Sequence, residues 1–261
     1  MNNNLAVTII QFDIIWENKE QNLKYINNIL DNNKTNTDII ILPEMFTTGF
    51  TMNVKQLAEN MNGDTIKWLN EKSQKLNSVI IGSIIINDNN KYFNRLLCVF
   101  PNGNILYYDK RHLFRMGNEQ EYYAHGLKKL IIDIKGWKIR PLICYDLRFP
   151  VWSRNCNDYD LLIYIANWPS SRNEVWEKLL YARAIENQSY AIGVNRIGKD
   201  GMNINYSGNS MIIDPKGNII SQINLKENII FTYTLSKSNL VKFREKFPAY
   251  LDADKFKIID C

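Results

Sequence analysis

Apolar and polar residues alternate along the chain in a rhythm that predicts strands separated by helices. The segment LAVTIIQF at residues 5–12 has the alternation and β-branched content of a strand. The polar stretch after it places four apolar residues on one helical face: Leu23, Ile26, Ile29 and Leu30. The continuous apolar run at 38–44, DIIILPE, is typical of a strand buried on both faces. A second predicted helix over 64–76 leads into another apolar strand at 78–86.

The pattern then changes to two hairpins that enclose a further series of strands and helices. The first hairpin, at 91–110, consists of two strand-like runs around Pro-Asn-Gly-Asn, and a similar unit recurs at 208–223. The segments between them predict strands within 129–146, a short helix from Phe149, a strand at 160–167, a helix at 173–188 and a strand at 190–196. The two hairpins suggest an internal two-fold organisation.

This order of elements predicts an α/β fold, a mixed sheet system covered by helices. The chain has 261 residues, and no Pro/Gly/Ser-rich linker divides it, so we expect a single domain over residues 1–261. Its 32 basic and 27 acidic residues are interleaved, which argues against nucleic acid as a partner. The chain lacks a signal-peptide pattern and a 20-residue apolar run, so no membrane partner is expected and a cytoplasmic location is the default.

The cysteines and histidines limit the chemistry. The four cysteines show no CxxC spacing, which favours free thiols: Cys98, Cys144, Cys156 and Cys261. The two histidines, His112 and His125, belong to no paired His/Cys cluster, so we expect no metal site. Neither histidine has a local dyad pattern with a cysteine. If a thiol is catalytic, another residue must accept its proton.

Three ionisable residues follow predicted strands directly. Glu44 follows DIIILP, Lys110 follows NILYYD, and Cys144 follows WKIRPLI. Open α/β sheets place ligands at the carboxyl ends of their strands, where these side chains could supply a base, a cation and a nucleophile. Each residue alone also fits a structural role: Cys144 in the core, Glu44 as a helix cap and Lys110 as a surface charge.

The stretches around these residues resemble three motifs of the nitrilase superfamily of carbon–nitrogen hydrolases, in the same order. They are ILPEMFTTGF around Glu44, YYDKRHLF around Lys110 and LICYDLRFP around Cys144. The resemblance implies a four-layer α-β-β-α sandwich and a Glu-Lys-Cys triad that cleaves carbon–nitrogen bonds through an acyl thioester, with no cofactor. It also implies a second glutamate seven residues before a glycine. Glu119, seven before Gly126, fits that spacing better than Glu121 does.

The resemblance assigns a role to each of these residues. Glu44 would be the general base and Cys144 the nucleophile, which the neighbouring ammonium would help to hold as a thiolate. Lys110 and the backbone N–H of Tyr145 would stabilise the oxyanion, and Glu119 would orient Lys110 and the substrate.

Further stretches, including DLRFPVWSRN and EKFPAYLDAD, look most like the omega-amidase branch, which hydrolyses the terminal amide of short 2-oxo acid amides. The far carboxylate of such a substrate needs a cation, for which Arg172 is the candidate; a surface role for it is equally open. Trp168 and Phe46 would form an apolar wall, or belong to the core. We expect Arg148 to pair with Asp146 or a neighbour, and Arg183 to pair with Glu186.

Two other hypotheses about the function stay open. The protein could be another amidase of the superfamily, acting on N-carbamoyl amides or simple aliphatic amides, or a catalytically silent relative that only binds a ligand. In every case the expected partner is a small-molecule amide or a related ligand. The resemblance further implies a homodimer packed through helices near the Cys144 loop and the C-terminal segment.

Overall fold

Two six-stranded sheets form the centre of the protein in a computed structural model, which describes residues 4–33, 36–223 and 227–259. The strands of the first sheet are β1 (Asn4–Gln11), β2 (Ile39–Ile41), β3 (Val79–Asp88), β4 (Lys91–Val99), β5 (Ile105–Asp109) and β14 (Ile229–Ser236). Those of the second sheet are β6 (Ile132–Ile134), β7 (Trp137–Ile143), β8 (Leu161–Ala166), β9 (Tyr190–Asn195), β12 (Ser210–Ile213) and β13 (Ile219–Ile223). A small two-stranded sheet consists of β10 (Ile197–Lys199) and β11 (Asn205–Ser207).

In the part of the chain that the structure describes, seven α-helices connect or flank these strands. They are α1 (Lys19–Asn32), α2 (Val54–Leu57), α3 (Asp64–Leu76), α4 (Glu119–Tyr122), α5 (Pro150–Ser153), α6 (Asn173–Asn187) and α7 (Lys237–Lys246). The described residues also form 3₁₀ turns at Arg115–Gly117, Cys144–Arg148, Ser170–Arg172 and Ala249–Asp252. Within the described ranges, no helix has both the length and the apolar character needed to cross a membrane.

The two large sheets have the same topology. Each has three adjacent parallel strands, β1-β2-β3 in the first and β7-β8-β9 in the second. Two antiparallel strands then extend each sheet on one side, β4 and β5 in the first and β12 and β13 in the second. A single antiparallel strand closes the opposite edge, β14 or β6. The two-fold organisation suggested by the hairpins is therefore present in the strand order.

Side-chain alternation along the strands produces four layers. Leu5, Val7 and Ile9 of β1 are buried between the sheets, in one apolar cluster that also contains β7, β8 and β9. Ile10 and Ile40 face the other way and pack with α1 and α3. On the far side, the apolar face of α6 packs on the second sheet. The order is helix, sheet, sheet, helix, so the predicted α-β-β-α sandwich is confirmed. The core shared by both sheets supports a single domain, which stays a proposal.

The bounds of the predicted elements agree closely with the structure, apart from several short elements. The helix expected over 64–76 is α3. The helix expected over 173–188 is α6, which ends one residue earlier, at Asn187. The sequence analysis missed β14, whose eight residues all pair with β1. Three cysteines are free thiols, as expected: Cys98, Cys144 and Cys156. Cys261 lies outside the described residues.

Candidate active site

The polar residues predicted at strand ends meet at one edge of the two sheets. Glu44 follows β2, Cys144 follows β7 and Asn167 follows β8, and these are the carboxyl ends of parallel strands. Strand β5 is antiparallel to β4, which is antiparallel to β3, so β5 also ends at this edge and delivers Lys110 there. The two sheets therefore contribute facing halves of a single cluster.

Glu44 is fully buried and its carboxylate is bound on both oxygens. Oε1 accepts hydrogen bonds from Lys110 Nζ at 2.9 Å and Asn94 Nδ2 at 2.8 Å. Oε2 accepts one from the backbone N–H of Asn167 at 2.8 Å, and the Asn167 side chain donates to the Glu44 carbonyl at 2.6 Å. A buried carboxylate is stable only with such partners, which also fix the position of the carboxylate.

Hydrogen bonds fix both the backbone and the side-chain ammonium of Lys110. Its backbone N–H donates to Asn94 O at 3.0 Å, and its carbonyl accepts from Gly126 N at 2.9 Å. A Cβ at Gly126 would lie 2.1 Å from the Asp109 carbonyl oxygen, so the close approach requires glycine there. Nζ lies 2.9 Å from Glu44 and 3.0 Å from Glu119. Burial acts to lower the pKa of Lys110, but the two carboxylates beside the ammonium outweigh it and raise that pKa above its ordinary value. The positions of these carboxylates therefore favour the charged form of Lys110.

Glu119, the first residue of α4, is the second carboxylate at the ammonium. It is fully buried, and Oε2 accepts from the backbone N–H of Phe114 at 2.6 Å. Burial raises the pKa of Glu119, whereas Lys110 acts to lower it. Asn94, which the sequence analysis missed, donates to Glu44 and also approaches Glu119 Oε1 at 3.4 Å. The glutamate predicted from its distance to Gly126 is thus part of the cluster.

Cys144 has a left-handed backbone conformation, with φ +40°. This region is unfavourable for residues other than glycine and occurs at functional turns that the surrounding structure holds in place. Ile143 N donates to Asp146 Oδ2 at 3.1 Å across the turn. The Cys144 side chain is only partly buried, whereas Glu44, Lys110 and Glu119 are buried behind it.

The surroundings of Cys144 act mainly against the thiolate that the Lys110 ammonium was expected to help hold. Burial raises the pKa of the Cys144 thiol well above its ordinary value of 9.0, and the carboxylates of Glu44 and Glu119 raise it further, while Lys110 acts in the opposite direction. Burial and two anions together outweigh one cation in this group, which favours the neutral thiol over the thiolate. The thiol sulfur lies 4.0 Å from the Asn167 carbonyl oxygen. A nucleophilic sulfur at this position would need a base to accept its proton.

A cavity of about 220 Å³ opens onto this cluster. Four predicted residues line it besides Glu44 and Lys110: Cys144, Tyr145, Trp168 and Arg172. The backbone N–H of Tyr145 lies in the first turn of a 3₁₀ segment, where N–H groups have no acceptor within the helix. It is therefore available to an oxyanion formed beside Cys144.

The structure does not place Phe46 in the cavity wall. Met45 has φ +44° and turns the chain after Glu44, and Phe46 N then donates to Ser83 O at 3.2 Å. The Phe46 ring lies over Gly82, where a Cβ would come within 2.8 Å of it, in the core beneath α3. The apolar wall is instead formed by Phe50 and Phe114, which the sequence analysis missed.

Arg148 also departs from its predicted pairing. The Asp146 carboxylate is bound to Tyr108, His112 and Ile143 N, and the exposed Arg148 lines the cavity, with its guanidinium 5.4 Å from the Trp168 ring. The expected pair of Arg183 and Glu186 is present, at 3.0 Å.

Arg172 also lines the cavity. Its guanidinium is 5.5 Å from the Phe114 ring and approaches the Met116 sulfur. Among the described residues, neither Arg148 nor Arg172 has a carboxylate within ion-pair distance. The cavity therefore presents two guanidiniums with free charge at its opening and a thiol, a carboxylate and an ammonium at its base. These groups at the base are the components of nucleophilic acyl transfer.

Known proteins resemble this chain over almost its whole length. The family model described as carbon–nitrogen hydrolase matches residues 6–245. Omega-amidase YafV of Escherichia coli (strain K12) is 44% identical over 256 residues, which cover 97% of this chain and 98% of that protein. The 2-oxoglutaramate amidase of Bacillus subtilis (strain 168) is 30% identical over 96% of this chain and 98% of its own length.

Among solved structures, XC1258 from Xanthomonas campestris is similar throughout. It is described as a CN-hydrolase superfamily protein with an arsenic adduct in the active site. The TM-score is 0.95 at 40% identity, and the match covers 98% of this chain and 99% of that one.

Proposed function

The chain belongs to the carbon–nitrogen hydrolase family, in its omega-amidase branch, and from this premise we propose that it hydrolyses the terminal amide of short 2-oxo dicarboxylic acid monoamides. 2-Oxoglutaramate and 2-oxosuccinamate are the proposed substrates, and the products are the 2-oxo acid and ammonia. The observation that carries the proposal is the convergence of Glu44, Lys110 and Cys144 at one cavity, with Glu119 beside Lys110. Two guanidiniums that have no carboxylate partner among the described residues line the same cavity.

Acylation begins with proton transfer from the Cys144 thiol to the Glu44 carboxylate, and both groups line the cavity. The sulfur attacks the amide carbon, and the carbonyl oxygen becomes an oxyanion. Lys110 Nζ and the N–H of Tyr145 stabilise this charge, and Glu119 keeps the ammonium in position at 3.0 Å. Glu44 returns the proton to the amide nitrogen, the carbon–nitrogen bond breaks, and ammonia leaves behind an acyl thioester.

Deacylation uses the same groups. A water takes the place of ammonia, Glu44 removes one of its protons, and the resulting hydroxide attacks the thioester carbon. The second tetrahedral intermediate forms against Lys110 and the Tyr145 N–H. It breaks to release the acid and the Cys144 sulfur, which recovers its proton from Glu44. These steps use no histidine, and none is found among the described residues that line the cavity.

The far carboxylate of the substrate would bind at the opening of the cavity. A guanidinium binds a carboxylate through two parallel hydrogen bonds. Arg172 and Arg148 line the cavity and have no carboxylate partner among the described residues. Trp168 and Phe114 pack beside these guanidiniums and would enclose the short carbon chain.

Ammonia release from a panel of substrates tests the proposal. The panel comprises 2-oxoglutaramate, 2-oxosuccinamate, glutamine, N-carbamoyl-β-alanine, a simple aliphatic amide and a nitrile. We expect the highest kcat/KM for the two 2-oxo acid amides. Equal or faster turnover of the carbamoyl compound or the aliphatic amide would replace this substrate assignment with the corresponding amidase activity.

We also propose a homodimer located in the cytoplasm. The family resemblance suggests packing near the Cys144 loop and the C-terminal segment. In agreement with this, Val151 of α5 and Phe256 are partly exposed and line one shared surface depression. Light scattering at micromolar concentration should give twice the mass of 30.6 kDa. A mass of one chain would contradict the dimer.

A further inference from the structure

A fully buried carboxylate, Asp146, joins the chain segment of Lys110 to the turn of Cys144. Its Oδ2 accepts hydrogen bonds from Tyr108 Oη at 2.8 Å and from Ile143 N at 3.1 Å. Its Oδ1 accepts from the backbone N–H of His112 at 3.1 Å and lies 2.8 Å from His112 Nδ1. Four donors from two segments thus converge on one side chain that does not itself line the cavity.

The proton positions in this network are fixed by its own geometry. The Tyr108 hydroxyl oxygen accepts from Trp152 Nε1 at 3.0 Å and from Arg111 N at 3.1 Å, so its single proton is directed to Asp146. A carboxylate surrounded by donors can only accept, which requires that His112 Nδ1 carries hydrogen. The His112 ring is also stacked on Phe149, with centroids 3.7 Å apart. His112 is therefore held as a donor to Asp146.

The residues of this network lie on both sides of Lys110 and of Cys144 along the chain. Tyr108 and His112 lie two residues before and two residues after Lys110, and Ile143 and Asp146 lie on either side of Cys144. Cys144 is held at φ +40°, and the hydrogen bond from Ile143 N to Asp146 spans that turn. A displacement of one segment against the other would move the sulfur relative to the ammonium.

We propose that Asp146 is a positioning residue that sets the location of Cys144 Sγ relative to Lys110, and that His112 acts through Asp146 as its oriented donor. The proposal rests on the proposed function, in which Cys144 is the nucleophile and Lys110 stabilises the oxyanion. His112 is then neither the base nor the acid of the reaction. It holds the geometry in which another residue does that work.

Asp146→Asn tests the carboxylate with little change in volume. The amide retains one acceptor oxygen, but its NH₂ group must face donors, either Tyr108 and Ile143 or His112. Misplacement of a catalytic group by about 1 Å costs on the order of 10²-fold in rate, so we expect kcat to fall by about that factor while KM stays within about threefold.

Asp160→Asn is the matched control. Asp160 is buried and accepts from Lys138 N, Lys237 and Arg244, but it precedes β8 at the opposite edge of the sheet. We expect this variant to lose stability in urea unfolding without a change in kcat.

His112 variants test the second half of the proposal and remain informative if Asp146→Asn does not fold. In His112→Asn, the side-chain NH₂ group occupies the place of Nδ1–H, whereas in His112→Gln it occupies the place of Nε2. We expect His112→Gln to lower kcat about tenfold and His112→Asn to recover most of that loss. Combining His112→Gln with Asp146→Asn should cost no more than Asp146→Asn alone, because both act through one interaction.

Several outcomes would overturn the proposal. They are an unchanged kcat in folded Asp146→Asn, a loss confined to KM, equal kcat for the two His112 variants, or additive losses in the double variant. Cys144→Ala is measured in parallel. If Cys144→Ala retained turnover, the proposed function itself would fail; if it abolished turnover while Asp146→Asn did not change kcat, only the positioning role would fail.

Discussion

Cys98 and Cys144 have similar local sequences, RLLCVF and PLICYD, yet they occupy opposite kinds of environment. Cys98 lies within β4, fully buried in the apolar layer between the sheets. Cys144 lies just beyond β7, where the chain turns with φ +40° and the side chain meets a cavity and three charged groups. The difference arises from position along the strand. A thiol inside a strand packs, whereas a thiol at a carboxyl end can meet groups delivered by other strands.

The electrostatics of the two thiols differ in the same way. Burial alone raises the pKa of Cys98, and no charged residue contributes. The raised pKa of Cys144 has several causes, including two carboxylates that raise it and an ammonium that lowers it. A thiol whose pKa depends on neighbouring charges can be activated by moving one proton. A thiol whose pKa is raised by burial alone cannot be activated in this way. We therefore expect Cys144 to be more reactive than Cys98.

The largest expected difference is in turnover. Cys144→Ala should lower kcat by at least about 10⁴-fold, because loss of the nucleophile in a cooperative catalytic group removes nearly all chemical catalysis. Cys98→Ala, the matched control, should keep kcat within about threefold, because it changes only packing. Ammonia release from 2-oxoglutaramate measures both. Residual activity of Cys144→Ala within tenfold of the parent would contradict the mechanism.

A second difference concerns two buried lysines. Lys110→Met removes an oxyanion donor and should lower kcat by about 10²–10³-fold. Lys72→Met is the control, since Lys72 is also buried and ion-paired, with Asp31 at 3.0 Å, but lies on α3 away from the cavity. We expect its kcat to match the parent. If both variants lost activity equally, the loss would reflect disrupted folding instead of a missing cation.

The apolar pattern predicted an α/β fold and three residues at strand ends because both depend on local order along the chain, whereas the four-layer sandwich and Glu119 came from the family resemblance. Apolar runs ending in Glu44, Lys110 and Cys144 mark strand ends, and parallel strands bring such ends together. The walls of the cavity were harder to predict. Phe46 and Phe50 are equally apolar in sequence, and only the turn at Met45 directs Phe46 into the core and leaves Phe50 at the cavity.

Residues inside strands were missed for a related reason. Asn94 is one polar residue in an apolar run, and its role depends on the distances from β4 to Glu44 and Glu119. The pairing of Asp146 with Tyr108 and His112 likewise joins segments more than 30 residues apart, whereas Arg148 offered a closer but unused partner.

Removing the Glu44 carboxylate should increase the rate at which Cys144 is alkylated, although it lowers turnover. Glu44 raises the pKa of Cys144, so Glu44→Gln should lower that pKa, increase the thiolate fraction near neutral pH and accelerate labelling by iodoacetamide about tenfold per unit of pKa change. Turnover should nevertheless be lost, because the base is absent. Mass spectrometry of the labelled peptides measures the rate, and slower labelling of the variant would contradict the assigned electrostatics.

The pH dependence of labelling in the parent follows from the same raised pKa. Since the thiolate is the reactive form and the pKa of Cys144 exceeds 9.0, its labelling rate should still be rising at pH 9 instead of reaching a plateau. Near neutral pH, Cys144 should still react faster than Cys98, because Cys98 has no exposed surface. A plateau below pH 8 would indicate a resting thiolate.

The smallest expected effect is on stability, and it has a different cause at each thiol. Cys98→Ala leaves a void between the sheets and should cost about 1–2 kcal/mol of unfolding free energy. At Cys144, a left-handed conformation costs a non-glycine residue about 1–2 kcal/mol, while glycine loses about 0.5–1 kcal/mol more backbone entropy than alanine. Cys144→Gly should therefore be more stable than Cys144→Ala by up to about 1 kcal/mol. Urea unfolding measures the unfolding free energy of Cys98→Ala, Cys144→Ala and Cys144→Gly. If Cys144→Gly were less stable than Cys144→Ala, the turn would not be strained, and the cost of holding the nucleophile at the cavity would have to lie elsewhere, in the buried charges of Glu44, Lys110 and Glu119.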